Sequence, residues 1–247
     1  MQYGLDLKIS WAYMRPPFDG QRSSRRYLDK TENKMNKLLP GIAAMATIVV
    51  ASNILVQYLI LDGLLTWGAF TYPLAFLVTD LMNRIYGPGE AKRVVFAGFL
   101  TGVICSLIGS QIMLQGDGYE YPAVAFRIAV ASGVAFLAAQ LTDIFVFNRL
   151  RNGQWWRAPL ASTVVGSILD TALFFAIAFS ASVTIFSDAA NDEISWAWNM
   201  APLMNVGAEY PLWVSLGIAD WIVKFSVALV ALIPFRILVS QILADSR

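Results

Sequence analysis

Residues 211–240 read PLWVSLGIADWIVKFSVALVALIPFRILVS, a thirty-residue run of mostly apolar side chains with Asp220 and Lys224 set into it. A helix rises about 1.5 Å per residue, so roughly 20 apolar residues cross a hydrocarbon core of about 30 Å. This run is long enough to span. Asp220 and Lys224 lie four residues apart, on one helical face, where their opposite charges can neutralise each other. A charge at mid-bilayer costs at least a few kcal/mol without a partner or a water-lined cavity.

Five further stretches have the same character, at about 38–61, 65–85, 92–114, 123–148 and 158–183. The expected architecture is an all-α integral membrane protein, a bundle of six transmembrane helices spanning residues 37–247. The joining segments show no alternating strand pattern, which disfavours a β-barrel. Composition agrees. The 247 residues are 57% hydrophobic and only 14% charged, against about a quarter charged in soluble domains. A single cysteine, Cys105, and no histidine exclude an intrachain disulfide, a Cys/His zinc site and a histidine proton relay.

Residues 1–36 hold no apolar run, and Pro16-Pro17 would interrupt one, so they are not a signal peptide. Arg22, Arg25, Arg26, Lys30 and Lys34 make this segment a basic tail suited to an anionic membrane surface. Lys and Arg also fill the 2–3 connection (Arg84, Lys92, Arg93) and the 4–5 connection (Arg149, Arg151, Arg157). The other three connections carry only acids: Asp62; Asp117 and Glu120; Asp188, Asp192, Glu193 and Glu209. The positive-inside rule then puts both termini in the cytoplasm. Trp67, Trp155, Trp156, Trp196, Trp198 and Trp213 fall near span ends, as an aromatic belt would. Gly98, Gly102 and Ser106, and Ser162 with Gly166, form small-residue faces for close helix packing inside the bundle. An oligomer is compatible with these faces but not indicated by them.

The buried polar residues sort by depth. Asn53, Gln57, Trp67, Thr71, Tyr72 and Arg127 lie in the outer half. Asp170, Asp220 and Lys224 lie near the middle. Asp80, Arg84, Gln140 and Asp143 lie toward the cytoplasm, with Asp80 and Arg84 spaced to pair along one face. Structural ion pairing is the plainer reading of Asp80–Arg84 and Asp220–Lys224, and Arg127 could snorkel outward. The functional reading is a substrate cavity above and a gate or ion-coupling layer below. Leu77–Leu81 is faintly echoed by Leu141–Ile144, each followed by an Asn-Arg pair. No phosphate-binding loop, nucleophile elbow or HExxH motif is present, and no cofactor is implied. A transporter, a membrane-bound binding subunit and an unusual intramembrane enzyme remain as classes.

Specific strings narrow this. Thr66-Trp67-Gly68-Ala69-Phe70-Thr71-Tyr72-Pro73, Phe76-Leu77-Val78-Thr79-Asp80-Leu81, Tyr86-Gly87, Ala91-Lys92-Arg93, Gln140-Leu141-Thr142-Asp143, Trp155-Trp156, Ala158-Pro159, Asp170-Thr171, Phe174-Phe175 and Asp220-x-x-x-Lys224 resemble those of the YhhQ-type queuosine precursor transporters. The resemblance covers about residues 50–235. It implies a non-enzymatic importer of 7-deazapurines, the 7-cyano or 7-aminomethyl precursors of queuosine, in a bacterial inner membrane, with no direct contact to nucleic acid. A guanine-like edge offers two adjacent donors and a carbonyl. On the implied substrate, Asp170 or Asp220 would take the donors. Asn53, Gln57 or Arg127 would meet the carbonyl, and Trp67, Tyr72 or Phe174 would stack. Lys224 would complete the cavity. The rival reading is a substrate-binding subunit of an energy-coupling-factor importer, which needs separate ATPases.

Overall fold

A computed structural model describes residues 20–245, except 57, 62, 117 and 119, with side chains from residue 36 onward except 59 and 245. Residues 1–19 of the expected tail lie outside the described residues, as does Gln57. The chain divides into two compact units, 1–39 and 40–247. Helix begins at Gly20, within the segment read as tail, and α1 runs Gly20–Leu55 with Pro40 inside it.

The second unit is mostly helical. After α1 come α2 (Gly68–Thr71), α3 (Leu74–Tyr86), α4 (Pro88–Gly109), α5 (Phe126–Leu150), α6 (Arg157–Phe179), the short α7 (Asp188–Asp192) and α8 (Leu212–Asp245). Among the described residues, five helices are long and apolar enough to cross a membrane: Asn36–Leu55, Pro88–Gly109, Phe126–Leu150, Arg157–Phe179 and Leu212–Ala244.

The expected span at 65–85 takes a different form, and Pro73 is the reason. Proline lacks an N–H and its ring crowds the preceding turn. Around it the hydrogen bonds tighten, Ala75 N–H donating to the Tyr72 carbonyl and Phe76 N–H to Pro73 at 3.0 and 3.1 Å. Tyr72 and Pro73 both keep right-handed helical backbone angles. The element is therefore a kinked helix, α2 then α3, starting at Gly68. Its 13-residue lower arm is about 20 Å long, too short to cross alone. Residues 65–66 belong instead to a hairpin.

Among the described residues, three small antiparallel hairpins occupy the 1–2, 3–4 and 5–6 connections. They pair Leu59–Ile60 with Leu65–Thr66, Met113–Gln115 with Glu120–Pro122, and Met200–Pro202 with Glu209–Pro211. With two or three residues per strand, they are too short for periodicity to reveal. The acidic 5–6 connection also folds down onto the bundle. Its Ile194 and Ala197 are fully buried with Ala131, Phe175, Ala178 and Phe179. Ser187 caps α7 through Ala190 N–H.

The α3–α4 turn is set by Gly87. Its φ of 91° is a left-handed value that glycine adopts without a Cβ penalty. Its N–H donates to the Asn83 carbonyl, and Pro88 then opens α4 with a fixed helical φ. The small-residue faces serve packing within the bundle. A Cβ on Gly98 would meet Met45 Cγ at 2.5 Å, and one on Gly166 would meet Phe76 Cε1 at 2.8 Å and the Ala139 carbonyl at 3.3 Å. Gly166 thus lets α6 close on both α3 and α5. Gly166→Leu is expected to prevent that approach. Gly166→Ala should destabilise by about 1–3 kcal/mol through overpacking, read as a lower thermal midpoint of the detergent-solubilised protein.

Candidate functional site

Two polar clusters sit inside the apolar bundle. The first is built on Lys224 of α8. Its ammonium lies 2.6 Å from Asp170 Oδ2 on α6 and 2.5 Å from Asp220 Oδ2 one turn earlier on α8. It also donates to Thr171 Oγ1 at 3.1 Å. Thr171 donates in turn to Asp220 Oδ2 at 2.8 Å. Tyr72, at the kink before α3, donates its hydroxyl to Asp170 Oδ1 at 3.1 Å. The Lys224 ammonium lies 5.4 Å from the centre of the Tyr72 ring, within cation–π range.

The cluster therefore joins three elements and holds two carboxylates against one cation. Lysine's three donors are all in use, and the ion pair is nearly water-free, with Lys224 and Asp170 side chains 5% and 4% exposed. Asp220 is the more open carboxylate, at 16%. Thr171 and Lys224 both bind Oδ2, leaving Oδ1 without a hydrogen bond among the described residues.

The second cluster lies between α3, α5 and α6. Asp80 accepts hydrogen bonds from Ser162 at 3.1 Å and Thr163 at 3.2 Å. Asp143 lies beside Asp80 and Ser162. Thr79 donates to Gln140 Oε1 at 2.5 Å. Asp80, Asp143, Gln140 and Thr79 are all buried. A cavity of about 10 Å³ touches Asp80 and Thr163, walled by Pro73, Leu77, Ala228 and Phe235.

The expected Asp80–Arg84 pair does not form. Arg84 Nη1 instead donates to the Arg151 carbonyl at 2.8 Å, just past α5. Arg151 reaches back to the Asn83 carbonyl and to Asn83 Oδ1. Burial, and secondarily the Arg84 charge, lowers Arg151 from the usual arginine value. The reason is geometric. Arg84 is in the last turn of α3, where the carbonyls at the neighbouring helix terminus attract a cation. The result is a reciprocal arginine latch between the ends of α3 and α5.

Arg127 neither snorkels nor presents a free donor face. It is fully buried. Nε donates to the Ile177 carbonyl at 2.8 Å, Nη2 to the Ser180 carbonyl at 2.6 Å, and Nη1 to Asn191 Oδ1 at 2.7 Å. Its guanidinium also lies 5.1 Å from the Phe186 ring centre. This arginine caps the C-terminal end of α6 and ties the 5–6 connection to it.

The remaining expected site residues are dispersed. Asn53 donates to the Val49 carbonyl one turn back, at 2.9 Å. Trp67 is 52% exposed and packs on Phe70. Phe174 lies in an aromatic cluster with Phe175 and Phe179, at 5.1 and 6.0 Å between centroids. Of the residues named from the sequence, Tyr72, Asp170, Asp220 and Lys224 come together, as do Asp80, Gln140 and Asp143. Thr171, Ser162, Thr163, Asn83 and Arg151 complete the networks without having been singled out as site residues. Their hydroxyl, amide and loop-end positions carry no charge pattern inside a span.

Comparison with known proteins follows the same stretch of chain. A family model described as "Putative vitamin uptake transporter" matches residues 66–239. The chain is similar to a "Queuosine precursor transporter" of Escherichia coli (strain K12), 34% identical over 206 residues, covering 79% of this chain and 83% of the relative. It is similar to a "Probable queuosine precursor transporter" of Haemophilus influenzae, 34% identical over 176 residues, covering 68% and 66%. A protein of the same description from Bacillus subtilis (strain 168) is 26% identical over 183 residues, covering 68% of each. No solved structure matches.

Breaking a buried ion pair by removing one partner costs about 3–5 kcal/mol, because the remaining charge is left uncompensated. Lys224→Met is therefore expected to destabilise the protein by about that amount, read from thermal unfolding in detergent. Asp170→Asn in the same chain should recover part of the loss by removing one of the two stranded charges.

Proposed function

The chain belongs to the vitamin uptake transporter family just described, and from that premise we propose that it imports 7-deazaguanine precursors of queuosine across the bacterial inner membrane. The observation that carries this reading is the Lys224 ammonium held between Asp170 and Asp220, with Tyr72 bonded to Asp170. Such a cluster offers what a guanine-like edge requires. A carboxylate accepts two adjacent N–H donors in a bidentate arrangement. The Asp220 Oδ1 atom is the open acceptor, and Asp220 is the more exposed of the two carboxylates. Lys224 donates to the substrate carbonyl as it turns from Asp220, while Asp170 keeps its charge compensated.

Tyr72 supplies a ring beside this edge. Aromatic stacking on a base contributes about 1–3 kcal/mol in protein–nucleic-acid cases. Asn53, Gln57, Trp67 and Phe174 remain second contacts in this proposal. Arg127 is set aside, since its three nitrogens are already bonded to the protein. Both termini face the cytoplasm in this scheme, with the kinked α2–α3 element counted as the sixth crossing. The three hairpins then share the outer face and the basic tail the inner one. Asp80, Asp143 and Gln140, with the Arg84–Arg151 latch, form the inner layer that closes the path.

The test is uptake of labelled 7-cyano-7-deazaguanine by the purified chain alone in liposomes. Self-sufficient uptake is expected; uptake only after adding ATPase subunits would favour the binding-subunit reading instead. Asp220→Asn removes a charge-assisted hydrogen bond, worth about 1.5–3 kcal/mol, so affinity should fall roughly tenfold or more. Full binding after alanine replacement of both Asp170 and Asp220 would refute the assignment.

A further inference from the structure

The Asp80–Asp143 contact is not explained by substrate recognition. Two carboxyl groups from α3 and α5 lie side by side, both buried. No cation reaches them among the described residues. Arg84, one turn below Asp80, is bonded to the Arg151 carbonyl. Lys224, on α8, is held by Asp170 and Asp220. The rest of the α8 wall here is Ala228, Ala231, Leu232 and Phe235. The part of α4 that is buried is Ala91, Val94, Val95, Gly98 and Gly109, and its charged residues, Glu90, Lys92 and Arg93, sit in its first two turns. From α6 come the Ser162 and Thr163 hydroxyls and the uncharged Pro159 and Gly166.

Two adjacent carboxylates in such a place cannot both stay ionised, because like charges in a low-dielectric site repel strongly. The partners distinguish the two. Asp80 accepts from Thr163 on Oδ2 and, on Oδ1, from the Ser162 hydroxyl, whose single hydrogen is shared with the Pro159 carbonyl; donors to its oxygens favour the carboxylate form. Among the described residues neither oxygen of Asp143 has a hydrogen-bond partner, with the Ser162 hydroxyl beside it. The adjacent Gln140 Nε2 is likewise buried without a partner, although its Oε1 is fixed by Thr79. A protonated Asp143 resolves the contact, with its O–H donating to Asp80.

We propose that Asp80 and Asp143 hold one proton between them, resident on Asp143, and that this proton enters the cell with the substrate. The coupling half rests on the transport reading above; the proton pair does not. The route between the two clusters runs along α3 and α6. Tyr72, bonded to Asp170, immediately precedes Pro73, which walls the small cavity beside Asp80. Thr163, bonded to Asp80, lies two turns before Asp170 on α6. A substrate that seats its ring beside Tyr72 shifts the kink and opens the cavity wall at Asp80. A proton taken from the outer water by the Asp143 carboxylate is then released to the inner water, with no other bond made or broken.

Infrared spectroscopy of the purified protein in lipid tests the pair directly. Exposed Asp and Glu are ionised at pH 7, so a protonated-carboxyl C=O band at that pH reports a buried acid. The band is expected in the wild type, is expected to shift on carboxyl-¹³C aspartate labelling, and is expected to vanish in Asp143→Asn while persisting in Asp80→Asn. No band at pH 7, a band indifferent to aspartate labelling, or a band unchanged in Asp143→Asn overturns the pair. If Asp143→Asn does not fold, the label shift in the wild type still decides. In liposomes, an acid-outside gradient should speed uptake of labelled 7-cyano-7-deazaguanine several-fold in the wild type and leave the Asp143→Asn rate unchanged. Gradient-insensitive or sodium-dependent wild-type uptake overturns the coupling. Complete absence of uptake overturns the transport reading and the coupling with it, while the infrared band still judges the pair.

Discussion

A lysine ammonium removed from water must be surrounded by anions or give up its proton, and in this protein that requirement organises three separate elements. Lys224 draws Asp170 on α6 and Asp220 on its own helix to within 2.6 Å. Asp170, once there, fixes Tyr72 and so the position of the Pro73 kink. Thr171 closes the ring by bonding both Lys224 and Asp220. Desolvation makes each of these contacts strong and makes each expensive to lose. The same requirement explains why a polar site can exist in a bundle whose outer surface is apolar.

The polar interior is divided because its charges are unequally compensated. Around Lys224 a cation offsets two acids, leaving one net negative charge and one open carboxylate oxygen. Around Asp80 and Asp143 the described residues place two acids beside hydroxyls and an amide, with no cation. The first arrangement suits a neutral or cationic molecule rich in N–H donors. The second suits a proton. Pro73 lies between them, one residue from Tyr72 and lining the cavity at Asp80, so a single kink touches both environments.

Much of this was legible in the sequence because the bilayer imposes simple constraints. Five of six expected spans appear as helices long enough to cross, and the Asp220–Lys224 spacing did produce an ion pair. The identical spacing of Asp80 and Arg84 did not. Spacing says which side chains share a face; it is silent on the Arg151 carbonyl that a neighbouring helix end brings closer. Arg127 was hidden in the same way, since its partners are backbone carbonyls at Ile177 and Ser180, which carry no sequence signature. The kink was foreshadowed only by Pro73 within an otherwise apolar run.

The central claim is that the Lys224–Asp170–Asp220 cluster receives the substrate, and a structure of the protein with 7-cyano-7-deazaguanine bound tests it most directly. The account predicts the ring beside Tyr72, its N–H edge within hydrogen-bond distance of Asp220, and Lys224 released from one of its two carboxylates. A ligand seated elsewhere in the bundle, with the Lys224 contacts unchanged, would contradict it.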